Sequence, residues 1–403
     1  MNRHPGLLAE ARDLAEQLIV WRRDLHRHPE LAFQEQRTAG LVAQHLAGLG
    51  LEVQTGVGQT GVVGILEGAN TGPTVMLRFD MDALPIQEET GLPFASQVPG
   101  RMHACGHDGH TAIGLGVATL LAARQPELAG RVKFVFQPAE EIASGAMAMI
   151  RDGVLENPTP DAAFGLHLWS QIPLGQAVVK AGPLWAAADR FDVEIVGRGS
   201  HGALPHLGVD TVVVAASAIT QLQSVVSRSR DPLQPVVLTV GTVQGGSAFN
   251  ILAERVHLSG TLRTFEETVR QATMDRMHGV LAGVCAAYGA RFDLAFSDHA
   301  PPVVNDEDAT AHVRGIAQDV LGQDAVQDGP MMMVAEDMAE FLDRVPGNYF
   351  VLGAMKAGPE GDGGSFTAEP HHSPRFDIDE RALPLAVAIL AGTALTYPAR
   401  AAS

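Results

Sequence analysis

Between residues 7 and 26 the apolar positions Leu7, Leu8, Ala11, Leu14, Ala15, Leu18, Ile19 and Leu25 recur at helical spacing, and Pro29 cannot continue the ladder. A second helix is predicted over 36–49, closed by Gly50. Short strands follow at 61–67 and 74–80, and the V-M-L-R-F core of the latter is apolar on both faces, as in a strand buried inside a sheet. Residues 111–123 read as a buried helix, 131–137 as a second central strand, and 162–169 as an apolar strand carrying one histidine. From about residue 184 the texture changes to strand 190–197, a Gly/His-rich loop, helix 210–228, strands 235–243 and 255–263, helix 266–288 and strand 290–296. That β-α-β-β-α-β order describes a compact two-layer unit with an edge strand and an open sheet face, surfaces that often serve dimer contacts. Helix and strand alternation returns after about residue 300, through a glycine-rich loop at 358–364 to a last helix at 379–397. The expected architecture is an α/β domain built from 1–182 and 300–403, interrupted by an α+β satellite at 183–299.

A chain of 403 residues is too long for one typical core, which agrees with two domains. A hydrophobic content of 46% and a charged content of 18% describe an ordinary soluble globular protein. The net charge of -18 argues against nucleic-acid and anionic-membrane surfaces. Two cysteines, Cys105 and Cys285, cannot make a disulfide framework and fit a reducing compartment. The first residues carry charges where a signal peptide needs an apolar core, and no apolar run approaches the ~18 residues of a spanning helix. A cytoplasmic protein, with no membrane and no nucleic-acid partner, is the expectation.

The chemistry concentrates at residues 102–111, M-H-A-C-G-H-D-G-H-T, where His103, Cys105, His107, Asp108 and His110 crowd around two glycines. Soft and borderline donors at that density are what a zinc- or manganese-type ion requires. The strand at 74–80 runs into Asp80-Met81-Asp82, two carboxylates two positions apart at a strand end, where open α/β sheets place their sites. The strand at 131–137 delivers Glu140-Glu141. Adjacent side chains point apart, so one glutamate can hold a metal while the other faces a water. His167 alone in an apolar strand would read as a core residue; it becomes a ligand candidate because the preceding strand ends bear ligands too.

Together D-M-D-A-L-P, H-A-C-G-H-D-G-H-T, Q-P-A-E-E, G-L-H, G-S-H-G-A-L-P-H, F-N-I and H-H-S-P-R-F-D-I-D-E occur in an order and spacing covering essentially the whole chain. They resemble the aminoacylase and hippurate hydrolase branch of the dinuclear metallo-carboxypeptidase family, which includes plant indoleacetyl-amino-acid hydrolases. The resemblance implies a zinc-peptidase-like catalytic domain, a mixed sheet flanked by helices, interrupted by the satellite. It makes Cys105, His107, Glu141, His167 and His372 the ligands of two divalent ions, Glu140 the general base, and Asp82 the carboxylate that orients a metal-binding histidine. His372 is preferred to His371 because it stands two before the proline, as in the motif. His201 would reach an active site, that of a partner subunit, and donate to the developing oxyanion. Asn250 and Arg263 are candidates for gripping a substrate carboxylate, which the planar fork of arginine suits.

The activity so implied is hydrolysis of the amide bond of N-acyl amino acids (hippurate-like, N-acetyl or indoleacetyl conjugates) by a homodimer or homotetramer joined through the satellite. A carboxypeptidase or dipeptidase acting on unblocked peptides is the alternative. A binding protein that has kept the scaffold is disfavoured, because Glu140 and every ligand are present. Manganese or zinc is expected, and cobalt or nickel fits the same donors. Hinge segments are expected near 181–183 and 300–302, closing around substrate. Two departures from the family pattern stand out: Ile142-Ala143-Ser144-Gly145 replaces a glycine-rich turn, and Ala335-Glu336-Asp337-Met338 replaces S-E-D-F. Both are expected near the acyl pocket.

Overall fold

The computed structural model describes residues 6–356 and 369–398, so the glycine-rich loop at 358–364 lies outside the described residues. The chain forms two compact units. One comprises the chain up to Gly182, Val304–Pro330 and everything from Asp337 onward; the other comprises Pro183–Val303 and Met331–Glu336.

The first unit is a mixed α/β layer structure. Its eight-stranded sheet runs in the order Glu52–Val57, Gly61–Glu67, Ala129–Gln137, Asn70–Asp80, Ala162–Pro173, Gly347–Met355, Ala177–Val178, Val326–Gln327. The centre is parallel: Asn70–Asp80 pairs in parallel with both Ala129–Gln137 and Ala162–Pro173, and the latter with Gly347–Met355. Parallel strands buried on both faces need continuous apolar runs, and Val75, Met76, Leu77 and Phe79 are all at most 2% exposed. The helices His107–Ala123 and Ala382–Thr396 are buried along nearly their whole length and pack on one another. The first predicted helix is two, Leu7–Asp13 and Ala15–Arg27, with Leu14 between them still in the right-handed region. The strand Glu52–Val57 was not predicted: it is a largely exposed edge with a register shift between Thr55 and Val57, so it carries no apolar alternation.

The second unit is the expected β-α-β-β-α-β sandwich. Its antiparallel sheet has the order Val237–Gly245, Arg255–Thr264, Ala187–Val196, Arg291–Ala300. Phe191, Val193 and Ile195 alternate onto one face and meet Val214, Leu222, Met277 and Leu281 from the helices Thr211–Ser229 and Glu267–Tyr288. Asp210 caps the first of these helices, its Oδ1 accepting the Val212 and Val213 amides. The segment Met331–Glu336, which chain order places with the catalytic half, belongs to this unit. Ala186 donates its amide to the carbonyls of Met332 and Val334 at 3.2 and 2.9 Å.

Candidate metal centre

The site assembles at the carboxyl ends of the central parallel strands of the first unit. Asn70–Asp80 delivers Asp80 and then Asp82, Ala129–Gln137 delivers Glu140 and Glu141, and Ala162–Pro173 carries His167. Gly106, at φ 94°, turns the backbone so that the helix begins at His107, four residues earlier than its apolar run suggests. His107 therefore stands in the first helical turn rather than in a loop.

Cys105, His107 and His167 bring one donor atom each within 4.8 Å of one another, and so do Cys105, Glu141 and His372. Cys105 is common to both sets. Its Sγ lies 3.4 Å from His167 Nε2, and His372 Nε2 lies 3.2 Å from Glu141 Oε2. His107 Nδ1 donates to the Asp82 carbonyl at 2.9 Å, which turns Nε2 toward Glu140 Oε2 at 3.7 Å and Glu141 Oε1 at 4.0 Å. His167 Nδ1 likewise donates to the Leu168 carbonyl at 2.7 Å, leaving Nε2 on the thiol side. In both rings the backbone bond engages Nδ1 and turns Nε2 inward.

The Asp82 carboxylate does more than the sequence suggests. Its Oδ1 is 3.3 Å from His107 Nδ1, but its Oδ2 accepts the Glu141 amide at 3.0 Å, so it ties the histidine to the glutamate turn. His110 is saturated: Nδ1 donates to Asp80 Oδ1 at 2.7 Å and Nε2 accepts the Leu168 amide at 2.9 Å, so despite its density of neighbours it is a structural residue. His371 also lies close, its Nδ1 3.7 Å from Cys105 Sγ, while its Nε2 accepts the Ser170 amide at 3.3 Å.

Electrostatics sharpen the picture. Burial opposes a charged His107, yet Asp80, Asp82 and Glu141 outweigh it and push its pKa up to about 10. The same carboxylates make a strongly negative well. Burial pushes His167 well below the usual imidazole range, His371 down to about 3 and His103 down to about 4, so these rings are neutral at physiological pH. His107 Nε2 and Glu141 Oε1 are buried without a hydrogen-bond partner among the described residues. An unpaired buried polar atom costs about 1–3 kcal/mol. The neutral His167 ring, a thiol, an unpaired carboxylate oxygen and a His107 Nε2 whose proton a cation would displace converge in a negative well and fit a borderline divalent cation.

The surrounding polar shell was not legible from local motifs. Arg78, 2% exposed, donates Nη1 to Asp80 Oδ2 at 2.6 Å, Nη2 to Asp337 Oδ1 at 2.9 Å and Nε to Gln137 at 2.8 Å. Asp337, expected near an acyl pocket, is buried in this network and also accepts the Gln137 side-chain amide and the Ala146 backbone amide. Behind the metal loop, Arg22 Nε and His26 Nδ1 both donate to Asp108 Oδ2, at 3.1 and 2.8 Å. Within the glutamate turn, Ala139 and Ala143 both sit in the left-handed region, at φ 54° and 49°. Gly145 is required there, because a Cβ would lie 1.5 Å from the Pro138 carbonyl.

The remaining predicted residues belong to the second unit. His201 is exposed on a two-stranded ribbon, paired with Ile251, and its Nδ1 accepts the Ala203 amide at 3.0 Å. Asn250, also exposed, accepts the Gly202 amide on its carbonyl at 2.8 Å, so the ribbon sets these two predicted residues side by side. Arg263 is half-buried on Arg255–Thr264. Burial lowers its pKa against the pull of Asp189, whose carboxylate pairs with Arg270 and His299.

Fold and site define a metal-dependent hydrolase. Residues 76–396 match the peptidase family M20/M25/M40, and the chain belongs to that family. It is 43% identical to an N-acyl-L-amino acid amidohydrolase of Geobacillus stearothermophilus over 73% of this chain and 80% of that protein. It is 37% identical to thermostable carboxypeptidase 1 of Saccharolobus solfataricus, over 93% and 94% of the two chains. Among solved structures, a dinuclear metal-binding peptidase of the M20 family from Bacillus subtilis superposes with a TM-score of 0.82 at 36% identity, covering 95% of this chain and 98% of that one.

Proposed function

We propose that this amidohydrolase cleaves the amide bond of N-acyl amino acids to a carboxylic acid and a free amino acid. The observation that carries the reading is the pair of three-donor sets sharing Cys105, with the Glu140 carboxylate beside them. In this reading Cys105, His107, Glu141, His167 and His372 hold two divalent ions, manganese or zinc by donor type, with cobalt or nickel compatible. When bound, such ions polarise an amide carbonyl and bring the pKa of a water toward neutrality. Glu140, which is not needed to complete either donor set, takes one proton from the attacking water. The new C–O bond forms as that proton leaves; Glu140 then returns it to the amine nitrogen as the C–N bond breaks. Asp82 keeps His107 and the glutamate turn in register.

His201 is assigned to the oxyanion of an active site on a partner subunit, and Asn250 and Arg263 to the substrate carboxylate. What supports the first assignment is the exposed His201 ring, whose Nε2 is left to neighbours by the Ala203 contact. The assignment calls for a homodimer or homotetramer through the second unit. The two free cysteines, Cys105 and Cys285, support a reducing, cytoplasmic setting. The likeness to a carboxypeptidase keeps peptidase activity as the second reading.

Turnover of benzoyl-, acetyl- and indoleacetyl-amino acids beside unblocked dipeptides, for metal-loaded wild type and Glu140→Gln, tests the proposal. Hydrolysis of blocked substrates is expected, with kcat reduced about 10²–10⁴-fold in the variant and activity lost to chelator. Faster cleavage of the dipeptides would move the protein to the peptidase reading.

A further inference from the structure

The turn that carries Glu140 is poorly supported by its own sequence. A left-handed conformation costs an L-residue about 1–2 kcal/mol, and two alanines, Ala139 and Ala143, adopt it on either side of Glu140–Ile142. Something outside the turn must hold it. Three carboxylates do: Asp82 accepts the Glu141 amide, Asp337 the Ala146 amide at 2.9 Å, and Glu35 the Ala139 amide at 2.9 Å.

Glu35 is the least expected of the three. It occupies the N-cap of the helix Gln36–Gly48 but makes no side-chain cap bond there. That duty falls to Glu30, whose two oxygens accept the Arg37 and Thr38 amides, each at 2.9 Å. Glu35 is thereby released to reach inward. It is fully buried, its Oε1 taking the Ala139 amide and its Oε2 the Thr60 hydroxyl at 2.6 Å. A carboxylate carried 104 positions along the chain and buried against a backbone amide is expensive unless that amide must be fixed.

We infer that Glu35, steadied by Thr60, is a positioning residue for the general base: it locks the left-handed Ala139 and so aims the Glu140 carboxylate. The inference rests on the proposed role of Glu140. Burial raises the Glu35 pKa and the Thr60 and Ala139 contacts lower it, but the role requires only an acceptor at Oε1. A glutamine supplies that acceptor and can give its amide N–H to Thr60; a leucine of similar bulk cannot.

The test compares metal-loaded wild type, Glu35→Gln, Glu35→Leu, Thr60→Val and Glu140→Gln. It measures kcat and KM on an N-acetyl amino acid, metal content, and amide exchange of a peptide spanning 137–146. Misplacement of a reacting group by about 1 Å lowers rates about 10²-fold. Glu35→Leu is therefore expected to reduce kcat about 30- to 100-fold with KM within about 2-fold, to keep its metal, and to speed exchange of 137–146. Glu35→Gln is expected to restore kcat to within about 3-fold of wild type and to exchange as slowly. Unchanged kcat and exchange in Glu35→Leu, or activity lost in step with metal, overturns the inference. Should the leucine variant not fold, Thr60→Val decides: a several-fold kcat loss with faster exchange supports the role, and neither change removes it. A Glu140→Gln enzyme with wild-type turnover would sink the general-base assignment, while the exchange data would still report whether Glu35 holds the turn.

Discussion

Two regions that the proposed function draws on are built in opposite ways. In the first unit the candidate ligands sit among buried groups whose orientations are fixed several times over: His107 by the Asp82 carbonyl, His167 by Leu168, Glu141 by Asp82. In the second unit His201 and Asn250 stand on an exposed ribbon, every residue of 241–250 is exposed, and Phe249 is entirely in solvent. The difference teaches where each kind of precision comes from. A metal centre needs donors held before the ion arrives, so folding of a single chain must complete it. Exposed groups gain their precision from whatever docks on them. Substitutions in the first region should therefore disturb stability and metal retention, whereas those in the second should disturb turnover alone.

The largest expected effect on folding is at Asp337, which joins Arg78, Gln137 and the Ala146 amide inside the first unit. Asp337→Ala takes from the buried Arg78 guanidinium one of the carboxylates it is paired with. Removing one partner of a buried ion network costs about 3–5 kcal/mol, and denaturant titration of the metal-free protein should show a loss of that size. A loss under about 1 kcal/mol would mean that water or repacking relieves Arg78, and that the shell is less tightly built than described.

His201→Ala is the mirror experiment. Loss of one oxyanion donor lowers kcat about 10²–10³-fold, and because the ring is exposed the midpoint of unfolding and the metal content should stay put. A drop in stability or metal content instead would erase the contrast between the two regions.

Both experiments also show what the sequence could and could not convey. Cys105, His107, Glu140 and Glu141 announced themselves because donor types cluster locally, and the element types followed from apolar periodicity. Glu35 was silent, and Asp337 stood out only as part of a motif that departs from the family pattern, because their contacts lie 104 and 191 positions away and no local spacing encodes them. Arg78 looked like one polar residue in an apolar strand, and only the folded sheet shows the carboxylates that accept it. The helix start at His107 was missed by four residues because Gly106 sets it through backbone conformation rather than through apolar pattern.

A smaller effect is pH-dependent. Burial disfavours a charged His26, but hydrogen bonds to Asp108 and Glu88 push its pKa up to about 9 from 6.5. The folded state holds this proton more tightly than the unfolded chain does. The stabilisation is thus complete below the unfolded value and fades as pH rises through about 9. Linkage puts it at about 3 kcal/mol. Unfolding of the metal-free protein at about pH 6 and about pH 10 should show a decline that is smaller by about that amount in His26→Gln, the part that remains belonging to His107, whose proton is held in the same way. A wild-type decline no steeper than the variant's would mean that the proton is not held there.

The smallest effect bears on the glutamate turn, where glycines expected by family resemblance are partly replaced. Gly145 remains where a side chain cannot enter, since a Cβ would meet the Pro138 carbonyl at 1.5 Å. Ala143 is different: its φ of 49° and ψ of 41° strain any L-residue, but no neighbour forbids its methyl group. Glycine at 143 relieves about 1–2 kcal/mol of strain and gives back about 0.4–1 kcal/mol through a more disordered unfolded chain. Ala143→Gly is therefore expected to raise stability by up to about 1 kcal/mol. If the carboxylate pins at Ala139, Glu141 and Ala146 hold the turn, kcat should stay within about 2-fold of wild type. A stabilised variant with much lower kcat would show instead that the stiffness of alanine, and not the pins alone, aims Glu140. The well-fixed character of the first region would then reside partly in local backbone restriction rather than wholly in its buried network.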